Sequence, residues 1–217
     1  MRFTWRTEWP HWSVLTILLI VVAISPYEVL PIHWNIAGEG DSFANKWLAF
    51  ALVVGVYLLM AFLPQLDPGR ANYAQFAGAY ATVRLAILTV LLVLTGSASL
   101  GVRSDGLVHV VIGAMLIVIG SVLGKIRPNW FAGIRTPWTL ASKRSWLKTH
   151  RLGGWLFIIW GLIEILVGLV APAERRVTLA CVVVVLAILL VYSYRVWRDD
   201  PEKLPPAGTQ PAAAEGP

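Results

Sequence analysis

The chain has 217 residues, of which 57% are apolar and only 14% charged, and its mean hydropathy is +0.68. So little charge excludes an ordinary soluble domain, which would lack the polar surface to cover its own core. The formal charge of +6 does not call for nucleic acid, because loops facing an anionic cytoplasmic leaflet are enriched in lysine and arginine.

The N-terminal segment MRFTWRTEWPHW places two arginines and three tryptophans ahead of an apolar run from Ser13 to Ser25. A secretory signal also starts basic, but this run ends in Pro26-Tyr-Glu without a small-x-small cleavage site, and more apolar runs follow. It reads as a retained first transmembrane helix with its tryptophans in the interfacial belt. Pro26, Glu28 and Pro31 end that helix and open a polar loop in which Gly38 and Gly40 mark turns.

A second run extends from Trp47 to about Leu63, and the uncharged stretch Trp47–Leu66 would rise about 30 Å as a helix, enough to cross the hydrocarbon. The link from Gln65 to Tyr80, with Asp67, Pro68 and Arg70, reads as partly helical and interfacial. A third run, Tyr80 to Ser99, contains Arg84 near its first end, where a snorkelling anchor is expected. The fourth, Leu107 to Gly124, is interrupted only by His109. The fifth, Leu152 to Val170, carries Glu164, and the sixth spans Val177 to Val196. Cys181, the only cysteine, lies inside that last run as a small buried hydrophobe. From Asp199 to Pro217 the chain is rich in proline, alanine and glycine and is expected to be a disordered tail.

The predicted fold is an all-α integral membrane protein, a compact bundle of six transmembrane helices. Three regions follow: residues 1–70 with two helices and an outward loop, 71–198 with four helices, and the tail 199–217. Six spans put both termini on one side, which holds thirteen of the eighteen Lys and Arg residues against four opposite. The positive-inside bias then predicts cytoplasmic termini in a bacterial cell membrane, with the His33–Asp41 loop facing outward.

The segment 125–151, KIRPNWFAGIRTPWTLASKRSWLKTHR, holds seven of those basic residues. Arg127-Pro-Asn, Ala-Gly133 and Arg-Thr136-Pro137 are turn signals that imply a shaped loop. Thr136 before Pro137 has the form of an N-cap with proline at the first helical position, and Ser142 is the alternative cap for a helix leading into the fifth span. In such a helix Trp146 and His150 share one face, and Lys143, Leu147 and Arg151 share the next, with a turn inward expected at Gly153-Gly154.

The segment from Lys125 to Gly154, especially Asn129, Gly133, Ile134, Arg135, Thr136, Pro137, Trp138, Thr139, Trp146, Thr149, His150, Arg151 and Gly153, resembles the signature of the SdpI family of bacterial membrane proteins. The segment Pro31–Asp41, with His33, Trp34, Gly38 and Asp41, resembles the short motif of the N-terminal domain associated with that family. The resemblance implies immunity to a secreted toxic peptide met outside the cell, and signalling by sequestering a cytoplasmic transcriptional repressor at the bilayer. Interaction candidates are therefore Asn129, Gly133, Arg135, Thr136, Pro137, Trp138, Trp146, His150 and Arg151 inside, and His33, Trp34, Gly38 and Asp41 outside.

Other classes have weaker signals. No HExxH or comparable compact signature marks a metal site, no cofactor motif is present, and the acids and histidines are too scattered to suggest an enzyme. Arg84, His109 and Glu164 are intramembrane polar candidates. Opposed across helices, Glu164 with Arg84 or His109 would make either a structural hydrogen bond, the favoured reading, or a transport pathway. A small transporter or cell-envelope maintenance protein is the runner-up function. No direct nucleic-acid contact is expected.

Overall fold

The computed structural model describes residues 5–34, 40–102, 105–172 and 175–205. In chain order these form α1 (Trp5–Ile24), β1 (Val29–Trp34), β2 (Gly40–Asn45), α2 (Lys46–Leu66), a 3-10 turn (Arg70–Asn72), α3 (Tyr73–Ser99), α4 (Asp105–Leu123), α5 (Pro137–Leu140), α6 (Lys143–Val170) and α7 (Arg175–Arg198). All the α-helices except α5 are long and apolar enough to cross a membrane, six in number. The chain is a helical multi-pass membrane protein.

Three departures from the sequence reading have physical causes. The loop after α1 contains an antiparallel hairpin, with Val29 opposite Asn45 and Leu30 opposite Ala44, so the fold is not purely helical. Its hydrophobic alternation is short and irregular around Pro31 and His33, which hides the strand signal. Next, α1 begins well before Ser13, because Glu8 and His11 are buried by pairing inside the bundle and do not end the helix. Finally, α6 starts at Lys143 and runs unbroken through Gly153 and Gly154, where an inward turn was expected.

Those glycines serve packing instead. Along α4, Gly106, Gly113 and Gly120 recur every seventh residue, and along α6 so do Gly154, Gly161 and Gly168. The helices run antiparallel, so the glycines meet in register. A Cβ placed on Gly113 would lie 2.5 Å from the Gly161 carbonyl oxygen, one on Gly120 would lie 2.6 Å from that of Gly154, and Gly106 faces Gly168 in the same way. Between helices in lipid the hydrophobic effect adds little, so close backbone approach and dispersion hold the pair. This is the most extensive helix contact of the molecule.

Around it, α3 packs on α4 and carries α1 and α2 on its other side, while α7 packs on α6. Leu18, Val22, Val53 and Leu88 form the core shared by α1, α2 and α3. A second core of Tyr73, Phe76, Tyr80, Val122, Leu123, Ile126 and Trp146 lies at the end of the bundle where residues 125–142 emerge. That core is the floor of the candidate site.

Candidate functional site

The loop between α4 and α6 is held by a set of buried polar contacts. Asn129, 3% exposed, accepts from the backbone amides of Phe131 (2.9 Å) and Ala132 (2.6 Å) through Oδ1, and donates from Nδ2 to the Arg127 (2.9 Å) and Ala132 (2.8 Å) carbonyls. It thereby closes the turn that Pro128 opens. The α2–α3 link grips this turn from the side. Asp67, 2% exposed, accepts from the Gly69 amide (2.6 Å), the Tyr73 hydroxyl (2.8 Å) and the Trp130 amide (2.9 Å), while Asn72 donates to the Pro128 carbonyl at 2.7 Å.

Trp146 and His150 form the next layer. They lie one helical turn apart on α6 and stack with centroids 4.2 Å apart at 20°. The Trp146 indole donates to the Ile126 carbonyl at 2.9 Å. His150 donates from Nδ1 to the Trp146 carbonyl and accepts from the Ile134 amide at Nε2 (2.9 Å), an arrangement that fits the neutral ring. Gly133 precedes that amide with φ of +116°, and a Cβ there would run into His150 Nε2. Only glycine fits both the backbone and the contact.

Both proposed caps exist. Thr136 caps α5 in a reciprocal capping box with Thr139 behind Pro137, and Ser142 caps α6 by accepting from the Ser145 amide. The tail side completes the frame. Thr136 Oγ1 donates to Ser193 Oγ at 3.1 Å, Ser145 donates to the Ser193 carbonyl, and Trp138 packs edge-on against Tyr194 at 5.3 Å. The Ser142 hydroxyl donates to Asp200, and the Leu204 amide donates to the Ala141 carbonyl. Residues 199–205 are therefore docked, where a disordered tail was expected from Asp199; residues 206–217 lie outside the described part. The hydrogen bond from Ser142 holds the Asp200 carboxyl below its ordinary value, helped by the Glu202 amide and by the charges of Arg144 and Lys203.

Over this frame the cationic residues turn outward. Lys125, Arg135, Lys143, Arg144, Lys148 and Arg151 are exposed, as are Trp130 and Phe131. Arg135 folds back to donate to the Trp130 carbonyl. The candidates thus divide in two. Asn129, Thr136, Trp146 and His150 build the loop, and Arg135 and Arg151 stay exposed on its surface. Chemically the surface offers cations beside apolar rings, suited to an anionic or amphipathic partner.

At the opposite end, His33 Nδ1 donates to Asp41 across the hairpin at 2.6 Å, both side chains largely exposed. Gly38 and the Trp34 side chain lie outside the described part. Buried Lys46 anchors the hairpin base by donating to the Ser25 carbonyl (3.1 Å) and pairing with Glu28 (2.9 Å).

Inside the bundle, Arg84 is not a snorkelling anchor. It is fully buried and pairs with Glu8 on α1 at 2.6 and 2.7 Å, beneath Tyr57 and Tyr80. His109 on α4 instead meets Glu164 on α6 at 2.7 Å, the interhelical bond favoured from sequence. Neither Glu8 nor Asp67 belongs to a motif, and only the packed bundle shows what each acid holds. Among the described residues, no three His, Cys, Asp or Glu groups gather as a metal site.

Residues 125–195, from the base of this loop to the last turn of α7, match the SdpI/YfhL protein family. Over 168 residues the chain is 25% identical to "Immunity protein SdpI" of Bacillus subtilis (strain 168), a similarity that spans 75% of this chain and 80% of that protein. No solved structure matches.

Proposed function

We propose that this chain, whose residues 125–195 match the SdpI/YfhL protein family, is a membrane immunity protein that protects its cell from an antibacterial peptide. In this reading the termini and the basic loop face the cytoplasm and the hairpin faces outward, in keeping with thirteen of eighteen Lys and Arg residues on the loop side. The hairpin with His33 and Asp41 meets the peptide. The cationic rim carries the consequence inward by binding an acidic surface of a cytoplasmic regulator.

The observation that supports it best is the division of labour within the matched segment. Its polar residues Asn129, Thr136, Ser142 and His150 build a fixed frame, and its charges Lys143, Lys148 and Arg151 are left exposed. A loop that only anchored the protein to lipid would not need so many buried bonds.

The test compares killing by secreted antibacterial peptides in cells that lack the protein, carry it, or carry Lys143→Gln, Lys148→Gln, Arg151→Gln together at matched membrane level. Selective protection is expected from the wild type alone. Full protection by the triple variant would remove the rim from the mechanism, and no protection by the wild type would sink immunity towards those peptides.

A further inference from the structure

Two carboxylates are buried in the membrane-spanning part of the bundle, and they are neutralised in different ways. Glu8 is met by Arg84, a cation at every accessible pH. Glu164, whose side chain is 1% exposed, meets no permanent cation among the described residues. It accepts from His109 Nδ1 (2.7 Å), the Trp160 indole (2.8 Å) and the Thr178 hydroxyl (3.0 Å). Of these donors only His109 can bring a positive charge, and only by binding a proton.

Among the described residues, the surroundings supply no other buried charge. On α6 the residues from Leu152 to Val170 hold no ionisable group besides Glu164, and on α3 the stretch from Leu85 to Ser99 is uncharged. On α7 the groups near Thr178 are Cys181, half-buried, and Arg176, exposed. The side chains of Asp105 and Arg175 lie outside the described part.

His109 also has a free edge. Its Nε2 makes no hydrogen bond among the described residues, and it is not one of the enclosed unpaired atoms, the ring keeping 11% of its surface. His109 lies about 6 Å along α4 from Asp105, and Glu164 about 9 Å along α6 from Val170. Both therefore sit at the hairpin end, just under the membrane surface, where the glycine contacts hold α4 and α6 together.

We propose that His109 and Glu164 form a proton-binding site loaded from the hairpin face. A proton arriving from water binds Nε2, and the Nδ1 proton is then free to move to Glu164 Oε2. The ring is left neutral with its proton on Nε2, and the acid carries the added one. The pair as a whole passes from one negative charge to none. A net charge in hydrocarbon is costly and a neutral pair is not, so the site takes up a proton that the Glu8–Arg84 pair has no need of. This goes beyond peptide immunity and does not depend on it.

The test counts protons. The full chain in lipid nanodiscs is moved from alkaline to neutral buffer, and uptake is read with an indicator dye for the wild type, Glu164→Gln and His109→Gln. About one proton per chain fewer is expected in each variant. Equal uptake in all three overturns the proposal. Should neither variant fold, the wild type decides: a hydrophobic carbodiimide, which attacks protonated carboxyls, should modify Glu164 in preference to Glu8, and equal or weaker modification of Glu164 overturns the proposal as well.

Discussion

Asp67 shows how much a single side chain can carry at the edge of a membrane. It sits between α2 and α3, yet its carboxylate receives the Trp130 amide, which lies more than sixty positions along the chain. Replacing it with alanine leaves that amide and the Gly69 amide without their acceptor, and the Tyr73 hydroxyl with only its longer bond to Asn129 Oδ1 at 3.3 Å. Each buried group stranded in this way costs about 1–3 kcal/mol. Asp67→Ala is therefore expected to lower the melting temperature in detergent and to speed tryptic cleavage at Lys125 and Arg135, while the spans remain helical by circular dichroism. Unchanged cleavage would mean that Asn129 holds the turn alone.

Among the elements, the α4–α6 pair separates glycines that matter for packing from those that do not. Gly113 and Gly161 each face the other's carbonyl oxygen at 2.5 Å from a built Cβ, whereas Gly55 and Gly78 have nothing within 4 Å. Gly113→Ala and Gly161→Ala should force the helices apart and destabilise the fold. Gly55→Ala and Gly78→Ala should be neutral, or stabilising by about 0.5–1 kcal/mol through lost backbone freedom in the unfolded chain. Thermal melts of the four variants in one detergent check the contrast, and a uniform response would show that close approach is not what holds the pair.

The docked stretch after α7 has its own pH dependence. Asp200 titrates below its ordinary value when folded, so its contribution to docking is present above the unfolded value and is lost as pH falls through the folded one. Exchange of the Leu204 amide, which is bonded to the Ala141 carbonyl, should therefore accelerate only in acid. Asp200→Asn should flatten that dependence. An equal acid response in the variant would assign the effect to another group.

For the whole molecule, the arrangement of charge predicts its orientation. The end that carries the α2–α3 link, the basic loop and residues 199–205 gathers thirteen of the eighteen Lys and Arg residues, against four at the hairpin end. A fluorescent protein fused after residue 217 should be bright, and a periplasmic phosphatase fused there should be inactive. The reverse pattern would turn the bundle over and place the hairpin inside.

Sequence alone determined the number of spans, because about twenty uncharged residues have no stable alternative to a helix in lipid. It also determined the caps at Thr136 and Ser142, and the shared face of Trp146 and His150, because caps and helical faces are set by near neighbours in the chain. Tertiary structure alone decided which partner each buried charge takes. Arg84 could equally well have met Glu164, and the choice of Glu8 follows from α1 packing against α3. It also decided that Asp67 grips the signature loop and that glycines spaced seven apart on two helices face each other. Such contacts join residues far apart along the chain, and a pairing of that kind has no local pattern until the helices have packed.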